Sequence, residues 1–107
     1  MKTYTPDKFV IIDYGAEYDE ERYAVLGGWY GGFAGSNSWK RSSPIEEAEI
    51  VNDKEIIITT HSGSEYILYK GCVGVTMLTQ SIVAQAKLDV IGEWDKVVET
   101  LKDNRND

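Results

Sequence analysis

The residues best suited to chemistry lie in two short segments. Trp39-Lys40-Arg41 sets an indole beside two cations, and Ser62, Ser64 and Tyr66 follow in the segment Thr60-His61-Ser62-Gly63-Ser64-Glu65-Tyr66. An aromatic face stacks on a base, a planar guanidinium grips phosphate, and hydroxyls hydrogen-bond to sugar or base edges, so this set suits a nucleotide. Gln80 is a further candidate, because an amide donates and accepts along a base edge. Each feature also has a purely structural explanation. Trp39 would serve as a core anchor, Lys40 and Arg41 as solvated charges, Ser62-Gly63-Ser64 as a turn, and Gln80 as a polar helix residue.

Other chemistries find less support. The sole histidine, His61, has no Ser or Cys partner in a recognised nucleophile motif, and no His/Cys cluster has metal-ligand spacing. The acidic run Asp19-Glu20-Glu21 lacks the alternating oxygen ligands and glycine of an EF-hand loop. Cys72, between Gly71 and Val73, reads as a small apolar residue rather than a thiolate. The expectation is a non-enzymatic protein with no cofactor and no metal.

The chain has 107 residues, room for one domain and one core spanning 1–107. It is 42% hydrophobic, enough apolar surface to offset the entropy of ordering, so it is expected to fold. Eleven Lys and Arg against 18 Asp and Glu leave a net charge of −7, which disfavours general binding to nucleic acid but leaves room for a local basic pocket. A single cysteine precludes an internal disulfide, no segment resembles a secretory signal, and the default compartment is the cytoplasm. The longest uncharged stretch, Tyr23 to Trp39, is shorter than a membrane span of ~20 residues and is rich in Gly, Ser and Asn, so no membrane association is expected.

The elements that must hold the candidate residues follow from periodicity. KFVIIDY, Lys8 to Tyr14, is a buried strand, and the charged segment Glu17 to Arg22 a solvated connection. Tyr23 to Tyr30 reads as a strand bent or bulged at Gly27 and Gly28, with a glycine-rich turn through Gly32 and Gly35 to Ser38. Trp39 to Ser42 returns as a short strand. Ile45 to Val51, Glu55 to Thr60 and Glu65 to Lys70 form a three-stranded antiparallel meander joined at Asn52-Asp53 and at His61 to Ser64. Val75, Leu78, Ile82 and Ala86 then mark one helical face. Asp89 is placed to cap a second helix carrying Ile91, Trp94, Val98 and Leu101, with Asn104 to Asp107 frayed. The fold class is therefore α+β: an antiparallel sheet over about 8–70 covered by two C-terminal helices over about 75–103. Val90, Val97 and Val98 widen the apolar stripe of the second helix, which points to burial against another copy in a homo-oligomer.

The elements Trp39-Lys40-Arg41-Ser42-Ser43-Pro44-Ile45 and Thr60-His61-Ser62-Gly63-Ser64-Glu65-Tyr66 resemble motifs of small phage-encoded proteins. With the strands-first, two-helices-last order, they resemble the first class of Thoeris anti-defence proteins, sponges that sequester cyclic nucleotide immune signals. That resemblance implies a phage protein acting in the host cytoplasm, which binds a cyclic nucleotide or cyclised ADP-ribose and leaves it intact. It also implies oligomers with pockets at subunit boundaries. A different class of function rests on charge alone. Glu17 to Glu21 with Glu46, Glu47 and Glu49 would suit an acidic inhibitor of a host nucleic-acid-binding or defence protein.

Overall fold

The computed structural model describes residues 2–31 and 37–105, with side chains through 102. The fold is α+β, as the periodicity predicts, but the strands divide into two four-stranded sheets. One has the order β1-β7-β6-β5, from Thr3–Tyr4 (β1), Ile45–Asn52 (β5), Glu55–Thr60 (β6) and Glu65–Tyr69 (β7). The other has the order β4-β3-β2-β8, from Lys8–Asp13 (β2), Tyr23–Trp29 (β3), Ser38–Arg41 (β4) and Asp89–Ile91 (β8). All pairings are antiparallel except β1 with β7.

The continuous apolar run of β2 reflects burial on both of its faces. Phe9 and Ile11 point between the two sheets, where they meet Val25, Ile45, Ile56, Ile58, Tyr66 and Leu68. Val10 and Ile12 point the other way and pack with Leu26 beneath Val75 and Val83. Helix α1, Met77–Ala86, covers that outer face. Helix α2, Trp94–Arg105, closes the side of the sandwich instead, sinking Trp94, Val97 and Leu101 into the core shared by the sheets. The expected single sheet beneath two helices is thus replaced by a sandwich with one helix outside and one helix at its flank.

In β5 a register shift between Ile45 and Glu47 leaves Glu46 and Glu47 both exposed while Ile45 and Ala48 are buried. The extra residue restores the inward phase, as a bulge does. Of the bend or bulge expected in β3 at Gly27 and Gly28, the bulge is absent, for β3 pairs in unbroken register with β2 and β4. Gly28 instead admits α1. A Cβ there would lie 2.8 Å from Cγ2 of Thr76. Thr76 and Thr79 form the capping box that starts α1: the Thr79 amide donates to Thr76 Oγ1 at 3.1 Å, and the Thr76 amide donates to Thr79 Oγ1 at 2.8 Å.

Asp89 does not cap a helix. Asp89 to Ile91 form β8, which pairs with Asp13, Ile12 and Ile11 of β2, and α2 begins three residues after Ile91 at Trp94. β-branched Val90 and Ile91 meet an otherwise unpaired strand edge, and backbone pairing there outweighs a local capping preference. The apolar stripe assigned to an outside partner is largely consumed internally: Val97 is buried and Val98 packs half-buried against the core. α2 continues to Arg105, beyond the expected end, and Asn106 and Asp107 lie outside the described residues, as do Gly32 to Ser36 of the expected glycine turn.

Candidate functional site

Strand β4 positions the first motif. Its register sets Trp39 opposite Gly28 and Arg41 opposite Leu26, so both side chains share the α1 face of the sheet, and Lys40, opposite Gly27, takes the other face. The Lys40 ammonium stands 5.3 Å from the centre of the Tyr4 ring, and Tyr4 stacks on Tyr66 with ring centres 5.0 Å apart. Lys40 therefore ties the edge of one sheet to the edge of the other by a cation–π contact.

On the α1 face lies a groove of about 460 Å³ lined by Leu26, Trp39, Lys40, Arg41, Ile82, Ala86 and Leu88. The volume falls within the ~300–1,000 Å³ range of small-molecule sites. The groove arises because the first turn of α1 is drawn onto Gly28, whereas its second half presents Ile82 and Ala86 beside the sheet edge. With the Lys40 ammonium turned to Tyr4 on the other face, Arg41 is the charged group presented to the groove, and the lining includes no carboxylate. In a chain of net charge −7, this is a local departure from the overall field. Trp39 is 46% exposed, an open indole face rather than a core anchor. Arg41 Nη1 donates to the Tyr14 hydroxyl at 3.2 Å, which holds the guanidinium at the rim.

The second motif lies elsewhere. The Ser62 amide donates to Ser43 Oγ at 3.0 Å, Ser43 Oγ donates to Ser62 Oγ at 3.1 Å, and the Ser64 carbonyl accepts from the Thr60 amide at 3.0 Å. These contacts fasten the β6–β7 turn to the segment between β4 and β5. Tyr66 is fully buried, because strand alternation turns it into the sandwich with Leu68. Burial, followed by the neighbouring Tyr4 phenol, pushes its own phenol up to about 12. Gln80 is exposed on α1 and is absent from the groove lining. The structure thus gathers Trp39, Lys40 and Arg41, but not Ser62, Ser64, Tyr66 and Gln80. The two-sheet arrangement is the reason: the meander of β5, β6 and β7 forms as expected, but β4, which carries Trp39 to Arg41, belongs to the other sheet.

Leu26, Ile82, Ala86 and Leu88 complete the groove, and Tyr14 supports Arg41. Ile82 and Ala86 are legible as one helical face, whereas nothing local links Tyr14 to a residue 27 positions away. His61 is exposed on the turn, with its amide donating to the Pro44 carbonyl at 2.9 Å. Among the described residues no group of three or more His, Cys, Asp or Glu is placed to hold a metal ion, and no helix is long and apolar enough to cross a membrane. No protein-family model, curated protein or solved structure matches the chain. What fold and groove define is a two-sheet α+β protein with an aromatic and cationic cleft at a sheet edge.

Proposed function

We propose that the chain is a non-enzymatic binding protein that captures a small, anionic, aromatic ligand in the β4–α1 groove, a cyclic nucleotide or cyclised ADP-ribose signal, and releases it unchanged. The observation that carries this reading is the convergence of Trp39 and Arg41 on a lining without carboxylates. Stacking on an aromatic side chain contributes ~1–3 kcal/mol per base, and a hydrogen bond to a charged group contributes ~1.5–3 kcal/mol. Long-range repulsion from the acidic chain fades over a Debye length of ~8 Å at physiological salt, so the nearby guanidinium dominates inside the groove. In this role the protein is a phage anti-defence sponge in the host cytoplasm, assembled as a homo-oligomer.

Titration with cyclic nucleotides and cyclic ADP-ribose, followed by Trp fluorescence and thermal unfolding, tests the reading. Saturation at 100 times Kd adds about 2.7 kcal/mol to stability, an easily measured rise in Tm. Chromatography of the heat-released ligand is expected to return it intact, and native mass spectrometry to report the copies per assembly. No change in Tm or fluorescence with any of these ligands would end the proposal.

A second reading is favoured by one observation. The 3₁₀ segment Ala16–Glu21 contacts β5, and Glu17, Asp19, Glu20 and Glu21 on the one and Glu46, Glu47 and Glu49 on the other are all exposed. That acidic surface suits inhibition of a basic host protein. Reversing the charges of Glu17, Asp19, Glu20 and Glu21 separates the two, since it would abolish protein capture and leave ligand titrations unchanged.

A further inference from the structure

Arg41 lines a second groove as well. Beyond the end of α1 the same face of the sheet continues through Ala24, and a concavity of about 320 Å³ opens there, lined by Tyr14, Tyr18, Glu21, Ala24, Arg41 and Ser42 to Pro44. Ala24 and Leu26 alternate onto one face of β3, so the two grooves follow one another along the strand. Arg41 is the residue common to both, and its hydrogen bond to Tyr14 forms the rim where they meet.

The two sides differ in chemistry. The β4–α1 groove offers the Trp39 indole among aliphatic side chains. The second offers an edge-to-face pair, Tyr14 and Tyr18, with ring centres 6.3 Å apart, and the Glu21 carboxylate. Because the Tyr14 oxygen accepts from Arg41, its own O–H is left to point at an acceptor, so cation and hydroxyl address one anion from the rim. Glu21 repels a second anion deeper in that groove and accepts from an amino group.

We infer that the site is bipartite, and that its ligand class is a molecule with one anionic centre between two planar groups, one of which bears an amino substituent. The anion sits at Arg41 and Tyr14, one planar group lies on Trp39, and the amino-bearing group lies on Tyr18 within reach of Glu21. This assignment rests on the capture reading above: it keeps the anion at Arg41 and the base on Trp39, and it adds a second planar group that a cyclic mononucleotide or cyclised ADP-ribose lacks.

The test compares adenylyl-(3′→5′)-adenosine, which has one phosphate between two amino-bearing bases, with AMP and with uridylyl-(3′→5′)-uridine by isothermal titration of the full chain. A second stacked base makes the adenine dinucleotide about five- to 150-fold tighter than AMP. Tyr18 is 55% exposed, so Tyr18→Ala keeps the fold, which an unchanged Tm verifies. That variant is expected to erase the advantage of the dinucleotide over AMP, because only the Trp39 side is left to stack a base, and Trp39→Ala is expected to weaken the dinucleotide as well. Glu21→Gln is expected to narrow the preference for the adenine over the uracil dinucleotide. Equal affinity for AMP and the adenine dinucleotide, or an advantage that survives Tyr18→Ala, overturns the bipartite site while leaving the single-groove reading in place. Absence of binding by all three probes together with the cyclic ligands overturns both.

Discussion

Ser42 and Val25 hold each other at both ends. The Val25 amide donates to Ser42 Oγ at 2.8 Å, and the Ser42 amide donates to the Val25 carbonyl at 2.9 Å. Ser42 Oγ in turn donates to the Ser43 carbonyl at 2.7 Å, so a single buried hydroxyl fixes the point where the chain leaves β4 for the opposite sheet. The orientation of Arg41, one residue earlier, depends on that anchor.

Ser42→Ala is therefore expected to leave the Val25 amide buried without its side-chain acceptor, at a cost of ~1–3 kcal/mol. Urea unfolding followed by Trp fluorescence measures it, and faster hydrogen exchange at Val25 would localise the effect. A loss below a few tenths of a kcal/mol would mean that water replaces the hydroxyl.

Gly28 allows α1 to seat on β3. In Gly28→Ala the new methyl would lie 2.8 Å from Thr76 Cγ2, 3.0 Å from Thr76 Oγ1 and 3.2 Å from Thr79 Cγ2. Overpacking of this kind costs ~1–3 kcal/mol, and here it also lifts the helix that walls the groove. The expected outcome is a lower Tm together with weaker binding in the nucleotide titration. A normal Tm would show that α1 shifts without strain.

The Tyr66 hydroxyl is buried and has no hydrogen-bond partner among the described residues. Removing it in Tyr66→Phe is expected to be neutral or to stabilise by roughly 1 kcal/mol, since an unpaired polar group is deleted from the core. Its ionisation supplies a second readout. The phenol titrates at 10.0 when exposed but only at about 12 in the fold, so between those values the unfolded chain binds fewer protons and stability falls as pH rises. Tyr66→Phe is expected to flatten that alkaline decline in Tm, and an unaltered decline would place its source elsewhere.

Asp13 receives two bonds from Arg22, Nε to Oδ1 at 2.7 Å and Nη2 to Oδ2 at 3.0 Å, and one from the Gly15 amide at 2.9 Å. The Arg22 hydrogen bonds are the main reason its carboxyl lies below the ordinary 3.8, with partial burial opposing them and the Gly15 amide assisting. A lowered folded value means that the contribution is complete well above pH 3.8 and is lost as pH falls through the folded value. Asp13→Asn is expected to lower Tm at pH 7 and to converge with the parent protein in strong acid. A difference constant across pH would exclude the ion pair as its origin.

Arg41→Lys keeps the charge but replaces a planar fork by a single ammonium. Ligand affinity in the β4–α1 groove is expected to drop by about tenfold or more, with Tm almost unchanged because Arg41 is exposed. Equal affinity would mean that the groove uses the charge without the geometry.

Much of this protein is legible in its residues one segment at a time. The β-branched runs mark β2 and β6, the glutamates of β5 mark its wet face, and the three-and-four spacing that ends in Ile82 and Ala86 marks α1. Trp39 and Arg41 are legible too, because residues two apart on a strand must share a face. Local sequence determines these features because helix and strand periods repeat within a few residues. Only the tertiary structure decided that the strands divide between two layers, that Asp89 to Ile91 complete a sheet instead of opening a helix, and that Tyr66 turns into the core while Tyr14 reaches Arg41. Those outcomes depend on which unpaired edge and which apolar face lie nearest in space, and contacts between residues distant along the chain leave no period in the sequence.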